Sequence, residues 1–347
     1  MRKKLLVALM AGVLGVSLLA GCGGNSSQKS ADSKTITMVW LPNESSEGHK
    51  NAREELGKII EKATGKKVEH KLTTDYAITV ETIANNKAAL AWLGPQGYVE
   101  AHNKNAAVLP VVVPSGPSGT LEDAVYYAWL AVNKGQEGEY KKGDSYAIDN
   151  IEGKSFSFVS NTSTSGFKVP SSSIIKQFSA TDKWKALKAA DLMQGGKDKF
   201  FKEVMFGGSH QGAAINLLSG KVDVAAFCDE VLNPYVKVVS GKANAVGAVY
   251  AVKDGAADPM SKYVGKEYVI ISSTPVLNSP IVMNSKMLSA DEQAKIVAAL
   301  TSKETSENKQ IFVPKGDKFV GMFIKSKNEQ FVKVDDSWFE PIRALSK

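Results

Sequence analysis

The sequence predicts an α/β fold built in two halves, the second inserted into the first. Runs of alternating apolar residues repeatedly give way to apolar residues spaced three and four apart, with short turns between them, as strands followed by helices do. The same alternation begins afresh after the Gly- and Lys-rich stretch from Asn133 to Asp144. A chain of 347 residues also suits two domains of ordinary size better than one. Strands alternating with helices across short turns imply layered sheets, largely parallel, with helices packed on them. Residues 34–124 and 275–347 are expected to form the first lobe and residues 125–274 the inserted second. The chain then crosses once near Val125–Val132 and returns near Ser272–Pro280.

The chain opens with Met1-Arg-Lys-Lys4, an apolar run from Leu5 to Ala20, and Gly21-Cys22. A charged start, a short apolar core and small residues before a cleavage point describe a secretory signal over residues 1–21. The run is short for a spanning helix, which needs ~20 apolar residues. Leu19-Ala-Gly-Cys22 resembles a bacterial lipobox, in which Cys22 takes lipid and becomes the mature N-terminus. Residues 22–33 are polar and flexible, suited to a tether. Loss of Arg2, Lys3 and Lys4 leaves 40 of the 43 basic residues against 36 acidic ones, so the net charge falls from +7 to +4. No basic tract is dense enough to suggest nucleic acid. With Cys22 lipidated only Cys228 remains, and an intrachain disulfide is not expected.

Thr35 to Trp40 alternates as a first strand, and Leu41 to Gly48 is a loop. Between His49 and Ala63 the apolar residues Ala52, Leu56, Ile59, Ile60 and Ala63 share one helical face, and Gly65 stops the helix. Lys67 to Leu72 is a second strand. Asp75 caps a helix carrying Tyr76, Val80 and Ile83. Ala88 to Leu93 is a buried strand leading into Gly94-Pro-Gln-Gly-Tyr98 and a further helix, and Ala107 to Val113 is another strand. A long strand, Ala124 to Val132, ends the first half. The second brings a strand at 154–159, a charged helical stretch near 182–190, a helix at 213–218 and a strand at 222–228. A strand follows from Lys266 to Ser272. Ser289-Ala-Asp-Glu292 is a capping box, with Leu288 as staple, opening a helix to about Leu300. There is no internal repeat of short period.

Ser160-Asn-Thr-Ser-Thr-Ser-Gly-Phe-Lys-Val-Pro170 carries the chemistry. Ser163, Thr164, Ser165 and Gly166 fall where a strand ends and a helix begins. The first N–H groups of a helix have no internal partner, and a tetrahedral oxyanion satisfies them together with the positive end of the helix dipole. Gly166 lets the backbone come close to such a ligand. The stretch thus reads as an anion cradle; the plainer alternative is a loop with a good N-cap. Tyr76, Tyr98 and His210 also lie in turns after strands or at helix starts. In such sheets ligands collect at the carboxyl ends of strands.

Several motifs together resemble the phosphonate-binding family of solute-binding proteins that serve ABC importers. They are Asp75-Tyr76, Gly94-Pro-Gln-Gly-Tyr98, Ser163-Thr-Ser-Gly-Phe167 ending in Val169-Pro170, Gly208-Ser-His210 followed by Gly220-Lys-Val-Asp223, and Thr274-Pro-Val-Leu-Asn-Ser-Pro280. The resemblance covers nearly the whole mature chain. It implies a two-lobed, type II periplasmic-binding-protein-like fold, each lobe a mixed, mostly parallel sheet flanked by helices, with the ligand in the interlobe cleft. It implies that Ser163, Thr164, Ser165 and their backbone N–H groups hold phosphonate oxygens, with His210 donating to the same group. Tyr76 and Tyr98 would close over it from the opposite lobe. Glu230 resembles an acidic residue that meets the ammonium of aminoalkylphosphonates in some members, although Asp229 beside it is an equal candidate. The implied partners are a phosphonate-type anion, a permease and an ATPase, and the membrane through lipid on Cys22. A monomer is expected, with no cofactor and no metal.

The plainer alternatives are a helix cap for His210, surface tyrosines on first helical turns for Tyr76 and Tyr98, and a solvated strand end for Glu230. Trp40 reads as core, with Glu44 and Glu47 solvated; the other reading puts Trp40 in the cleft wall with a glutamate near a ligand cation. His49, His70 and His102 lack metal-ligand spacing and read as surface residues. No Gly-x-Ser-x-Gly surrounds Ser163 or Ser209, and Gly153-Lys-Ser155 lacks the earlier glycine of a phosphate loop. Cys228 sits in an apolar strand, where a thiol is inert packing. The expectation is therefore a binding protein rather than an enzyme, for 2-aminoethylphosphonate or a related phosphorus oxyanion. Phosphite, phosphate, an unrelated organic ligand, a sensing role and an exported hydrolase remain the alternatives.

Overall fold

In the computed structural model residues 34–46, 49–317 and 321–345 are described. The predicted leader, the tether, Cys22 and Glu47 lie outside them. The first strands form as the alternation requires: β1 (Thr35–Trp40) pairs in parallel with β2 (Lys67–Leu72) and β3 (Leu90–Trp92). Helix α1 (Lys50–Thr64) connects β1 to β2, burying Ala52, Leu56 and Ile60. It ends at Gly65, whose φ of 72° suits the left-handed cap that glycine adopts without strain. Helix α2 (Tyr76–Ala84) starts where Asp75 accepts from the N–H groups of Ala77 and Ile78 at 2.7 and 3.3 Å. Pro95 opens α3 (Pro95–Lys104), where a missing N–H costs nothing.

After β4 (Val108–Pro114) the chain enters β5 (Val125–Asn133). The strands that follow are β6 (Ser155–Phe158), β7 (Glu203–Phe206), β8 (Val224–Cys228), β9 (Val236–Ser240), β10 (Val249–Val252) and β11 (Glu267–Leu277). Helices α4 (Val169–Phe178), α5 (His210–Leu218) and α6 (Asp229–Leu232) lie among them. The chain returns through β12 (Ile281–Asn284), α7 (Ala290–Leu300), β13 (Phe312–Pro314), β14 (Phe323–Lys325) and β15 (Phe331–Lys333). The capping box of α7 is present in both directions between Ser289 and Glu292. One sheet runs β15-β4-β12-β3-β1-β2 and the other β9-β10-β11-β5-β8-β6-β7. All strands of the second lie between Val125 and Leu277. β5 and β11 pair along nearly their whole length, from Val125 opposite Leu277 to Asn133 opposite Tyr268, and so form the double strand between the two sheets.

The sheets are mixed rather than mostly parallel. β12 returns antiparallel between β3 and β4, and β5, β9, β10 and β11 pair antiparallel throughout. Within these two sheets parallel pairing is confined to β1 with its neighbours and to β8-β6-β7, and the small separate sheet of β13 and β14 is parallel as well. The reason is connectivity: a chain that leaves one lobe and must come back meets its own outgoing strand head to tail. The charged stretch near 182–190 is a series of turns, not a helix, anchored by Leu187 and by Trp184 against Phe200. Two buried clusters fill the layers. The larger spans the first sheet and one face of the second; the other gathers Phe156, Phe158, Phe167, Phe178, Phe200 and Phe201. Among the described residues no helix is long and apolar enough to cross a membrane, and no group of three His, Cys, Asp or Glu is placed to hold a metal ion.

Candidate functional site

The stretch after β6 turns sharply into a π-helical turn, Thr164–Lys168, before α4 continues it. Ser163 caps that turn, its Oγ accepting from the N–H of Gly166 at 3.1 Å. With its lone pair engaged there, the hydroxyl proton of Ser163 is left to donate. The N–H groups of Thr164 and Ser165 find no carbonyl partner among the described residues. All three side chains are buried and line a small cavity. Gly166 has a different reason from the one expected. A Cβ there would overlap the side chain of Val159, so the glycine serves packing against the end of β6 rather than approach of a ligand.

His210 is the first residue of α5, which Ser209 caps by accepting from Gly212 N at 3.0 Å. The imidazole is buried, and its Nδ1 has no partner among the described residues. Burial alone pulls its pKa down to about 3, so the ring is neutral and donates through one nitrogen only. Tyr76, the first residue of α2, faces the same cavity from the first sheet. Its hydroxyl accepts from Asn43 Nδ2 at 2.6 Å, lies within hydrogen-bond reach of Ser163, and keeps its own proton to donate.

Tyr98 is not brought there. Its hydroxyl donates to Asp336 Oδ1, and its ring packs on Phe339 at 4.7 Å, tying α3 to the C-terminal segment. Burial and that carboxylate hold its pKa above the usual value. The aromatic hydroxyl that joins Tyr76 is instead Tyr126, second residue of β5, buried and in the cavity lining. Of the acidic pair after β8, Asp229 is consumed by structure. It accepts from Tyr127 N and Glu230 N at 2.7 and 2.8 Å and from Asn244 Nδ2 at 2.9 Å. Glu230 lines the cavity with a carboxyl that has no partner among the described residues.

Glu44, expected in solvent, is buried, and its Oε2 has no partner among the described residues. It lines the cavity from the first sheet as Glu230 does from the second. Burial raises both carboxyls to about 8; Asp229 and Glu44 add to this for Glu230, while Arg53 opposes it for Glu44. Trp40 is core, its Nε1 on His70 Nδ1 at 3.0 Å. His49, expected at the surface, is buried against Ser46, and burial lowers its pKa to about 4. His102 is fastened to Val108 O at 2.8 Å. Cys228 is buried in the cavity wall, its thiol held well above the usual pKa by burial and the nearby acids.

The lobes touch directly around this cavity, whose volume is about 20 Å³. Thr164 Oγ1 accepts from Gln96 N, at the start of α3, at 2.8 Å. Asn43 Oδ1 accepts from His210 N at 3.0 Å, and Gln211 Nε2 donates to Asn43 O at 3.3 Å. Asn43 and Tyr126 are not site candidates in the sequence, and Glu44 is one only in the alternative that puts a glutamate of its loop near a ligand cation.

Two sheets joined by a double strand, whose strand ends and helix starts meet in one shut, donor-lined chamber, define a two-lobed solute-binding protein. A family profile described as the phosphonate periplasmic substrate-binding protein of ABC transporters matches residues 38–339. The chain belongs to that family. It is 27% identical over 226 residues to the phosphate-import protein PhnD of Mycolicibacterium smegmatis, a match spanning 63% of this chain and 64% of that relative. Two solved structures share the fold. One is a binding protein component of an ABC phosphonate transporter from Pseudomonas aeruginosa (TM-score 0.62, 20% identity, 90% of this chain and 85% of that one). The other is PhnD1 of Prochlorococcus marinus in complex with methylphosphonate (TM-score 0.59, 15% identity, 90% and 97%). The fold is the two-lobed type II periplasmic-binding-protein arrangement expected from the motifs.

Proposed function

We propose that the protein captures an aminoalkylphosphonate outside the membrane and delivers it to an ABC permease and its ATPase, held at the membrane by lipid on Cys22. The observation that carries this reading is the composition of the chamber. Hydroxyl, amide and imidazole donors from Ser163, Thr164, Ser165, Tyr76, Tyr126 and His210 line it together with two carboxyls, the buried Glu44 and the half-buried Glu230. Neutral donors hold a PO3 group without the indiscriminate pull of lysine or arginine. The carboxyls are costly to ionise in a dry chamber, and an ammonium on the ligand offsets that cost. Residues 34–124 with 275–347 act as one closing body and 125–274 as the other, and the bound ligand shifts the population toward the shut form.

The second reading is a bare oxyanion, phosphate or phosphite. It is favoured by the small free volume and by the pKa of about 8 on both carboxyls, which lets each stay protonated at neutral pH and donate. A thermal-shift and calorimetry panel separates the two, because a ligand that binds only the folded state raises its melting point with affinity. 2-Aminoethylphosphonate is expected to bind tightest, ahead of methylphosphonate, phosphite and phosphate, and to be recovered unchanged. Tighter binding of phosphate or phosphite would replace the first reading with the second.

A further inference from the structure

Three cavities share lining residues, and Glu230 lines every one. The chamber described above leads to a space of about 10 Å³ between Glu44, Trp92, Val231 and Phe323. Beyond it opens a groove of about 560 Å³, which Tyr126 also borders. The function proposed above uses only the first of these. In the groove most polar side chains are already occupied. Asp229 holds Tyr127, Glu230 and Asn244; Asn278 donates to Pro114 O; Glu329 accepts from the Ser326 and Lys327 amides. The charged side chains of the lining that lack a partner among the described residues are Glu230, Lys253 and, on the opposite wall, the exposed Lys315. Lys253 is half-buried, and desolvation lowers the pKa of its ammonium with no carboxylate to counter it.

The chamber thus carries neutral donors and two carboxyls, and the groove that shares Glu230 with it adds Lys253 and Lys315 beside Asp317 and the already bonded Asp229 and Glu329. We propose that the ligand carries a second acid group on its substituent: a phosphono-amino acid, with its phosphonate in the chamber, its ammonium at Glu44 and Glu230, and its carboxylate in the groove at Lys253. The proposal rests on the phosphonate reading of the chamber and extends it to the substrate class. A carboxylate there replaces the water that Lys253 has partly lost, and a charge-assisted hydrogen bond in a half-buried site is stronger than one in solvent. Lys315, being exposed, contributes attraction that salt screens.

The test is calorimetry on the full-length chain with 2-amino-4-phosphonobutyrate, 2-aminoethylphosphonate and methylphosphonate, using wild type, Lys253→Met and Lys253→Arg. The expected result is at least about tenfold tighter binding of 2-amino-4-phosphonobutyrate than of 2-aminoethylphosphonate, a factor of ten being ~1.4 kcal/mol. Lys253→Met should erase that difference and leave 2-aminoethylphosphonate unchanged, which also shows that the variant is folded; Lys253→Arg should keep it. Equal affinity of the two aminophosphonates, exclusion of the longer one, or an equal loss for both in Lys253→Met overturns the proposal while the chamber reading stands. If both aminophosphonates bind no better than methylphosphonate, the chamber reading itself fails at the carboxyls.

Discussion

Replacing Asn43 by alanine tests whether the lobes are clasped by the protein as well as by the ligand. The side chain makes two bonds, Nδ2 to Tyr76 Oη at 2.6 Å and Oδ1 from His210 N at 3.0 Å, and the second crosses between lobes. The backbone contact from Gln211 survives the substitution. In the open form the His210 amide, the first of α5, is free to bond to water. In the shut form of Asn43→Ala it is buried without a partner, at a cost of ~1–3 kcal/mol. Tyr76 loses only the donor that orients its hydroxyl, a smaller effect. The shut form thus weakens by ~1–3 kcal/mol relative to the open one, and ligand affinity falls by ~5–150-fold, since binding and closure are linked. The loss should lie in faster dissociation, because the encounter with the open form is unchanged. Calorimetry gives the affinity, stopped-flow the rates, and fluorescence transfer between labels on the two lobes gives the closed fraction. Wild-type affinity in Asn43→Ala, or a loss confined to the association rate with closure intact, would refute the clasp.

Ser163→Ala and His210→Ala should each weaken phosphonate binding by ~1–3 kcal/mol in calorimetry, the size expected for one buried donor; a double variant with normal affinity would remove both from the site. Tyr98→Phe should cost ~1 kcal/mol in denaturant unfolding, through the lost bond to Asp336, and leave ligand affinity unchanged. With Glu44 and Glu230 near 8 in the empty protein, an ammonium ligand binds their ionised form and expels protons at neutral pH. The affinity of 2-aminoethylphosphonate should therefore rise with pH, by up to about tenfold per unit for each proton released, and level off above about 8. Methylphosphonate, having no ammonium, should lack that rise; the same slope for both ligands would separate the carboxyls from the ammonium.

What the sequence discloses about this site follows from the range of the interaction that settles each residue. Ser163, Thr164 and Ser165 are legible because a strand end, a hydroxyl-rich turn and a helix start all lie within eleven residues, and the geometry is local. The Asp75 cap and the Ser289–Glu292 box are legible for the same reason. Glu44 is not, because a glutamate in a polar loop belongs in water until another lobe is laid over it, and the element that does so begins near His210. Tyr126 hides inside an apolar run buried on both faces, where alternation cannot say which tyrosine turns to the gap. Tyr98 misleads in the opposite sense. It occupies the right turn of the right helix, but the helix rotation is set by Phe339 and Asp336 at the far end of the chain. The parallel sheets expected from strand–helix alternation fail for a related reason, since an inserted lobe obliges β11 and β12 to retrace the paths of β5, β3 and β4. On the proposed reading, recognition of the PO3 group rests on local features of the second lobe, whereas discrimination among its substituents depends on which side chains the first lobe brings across.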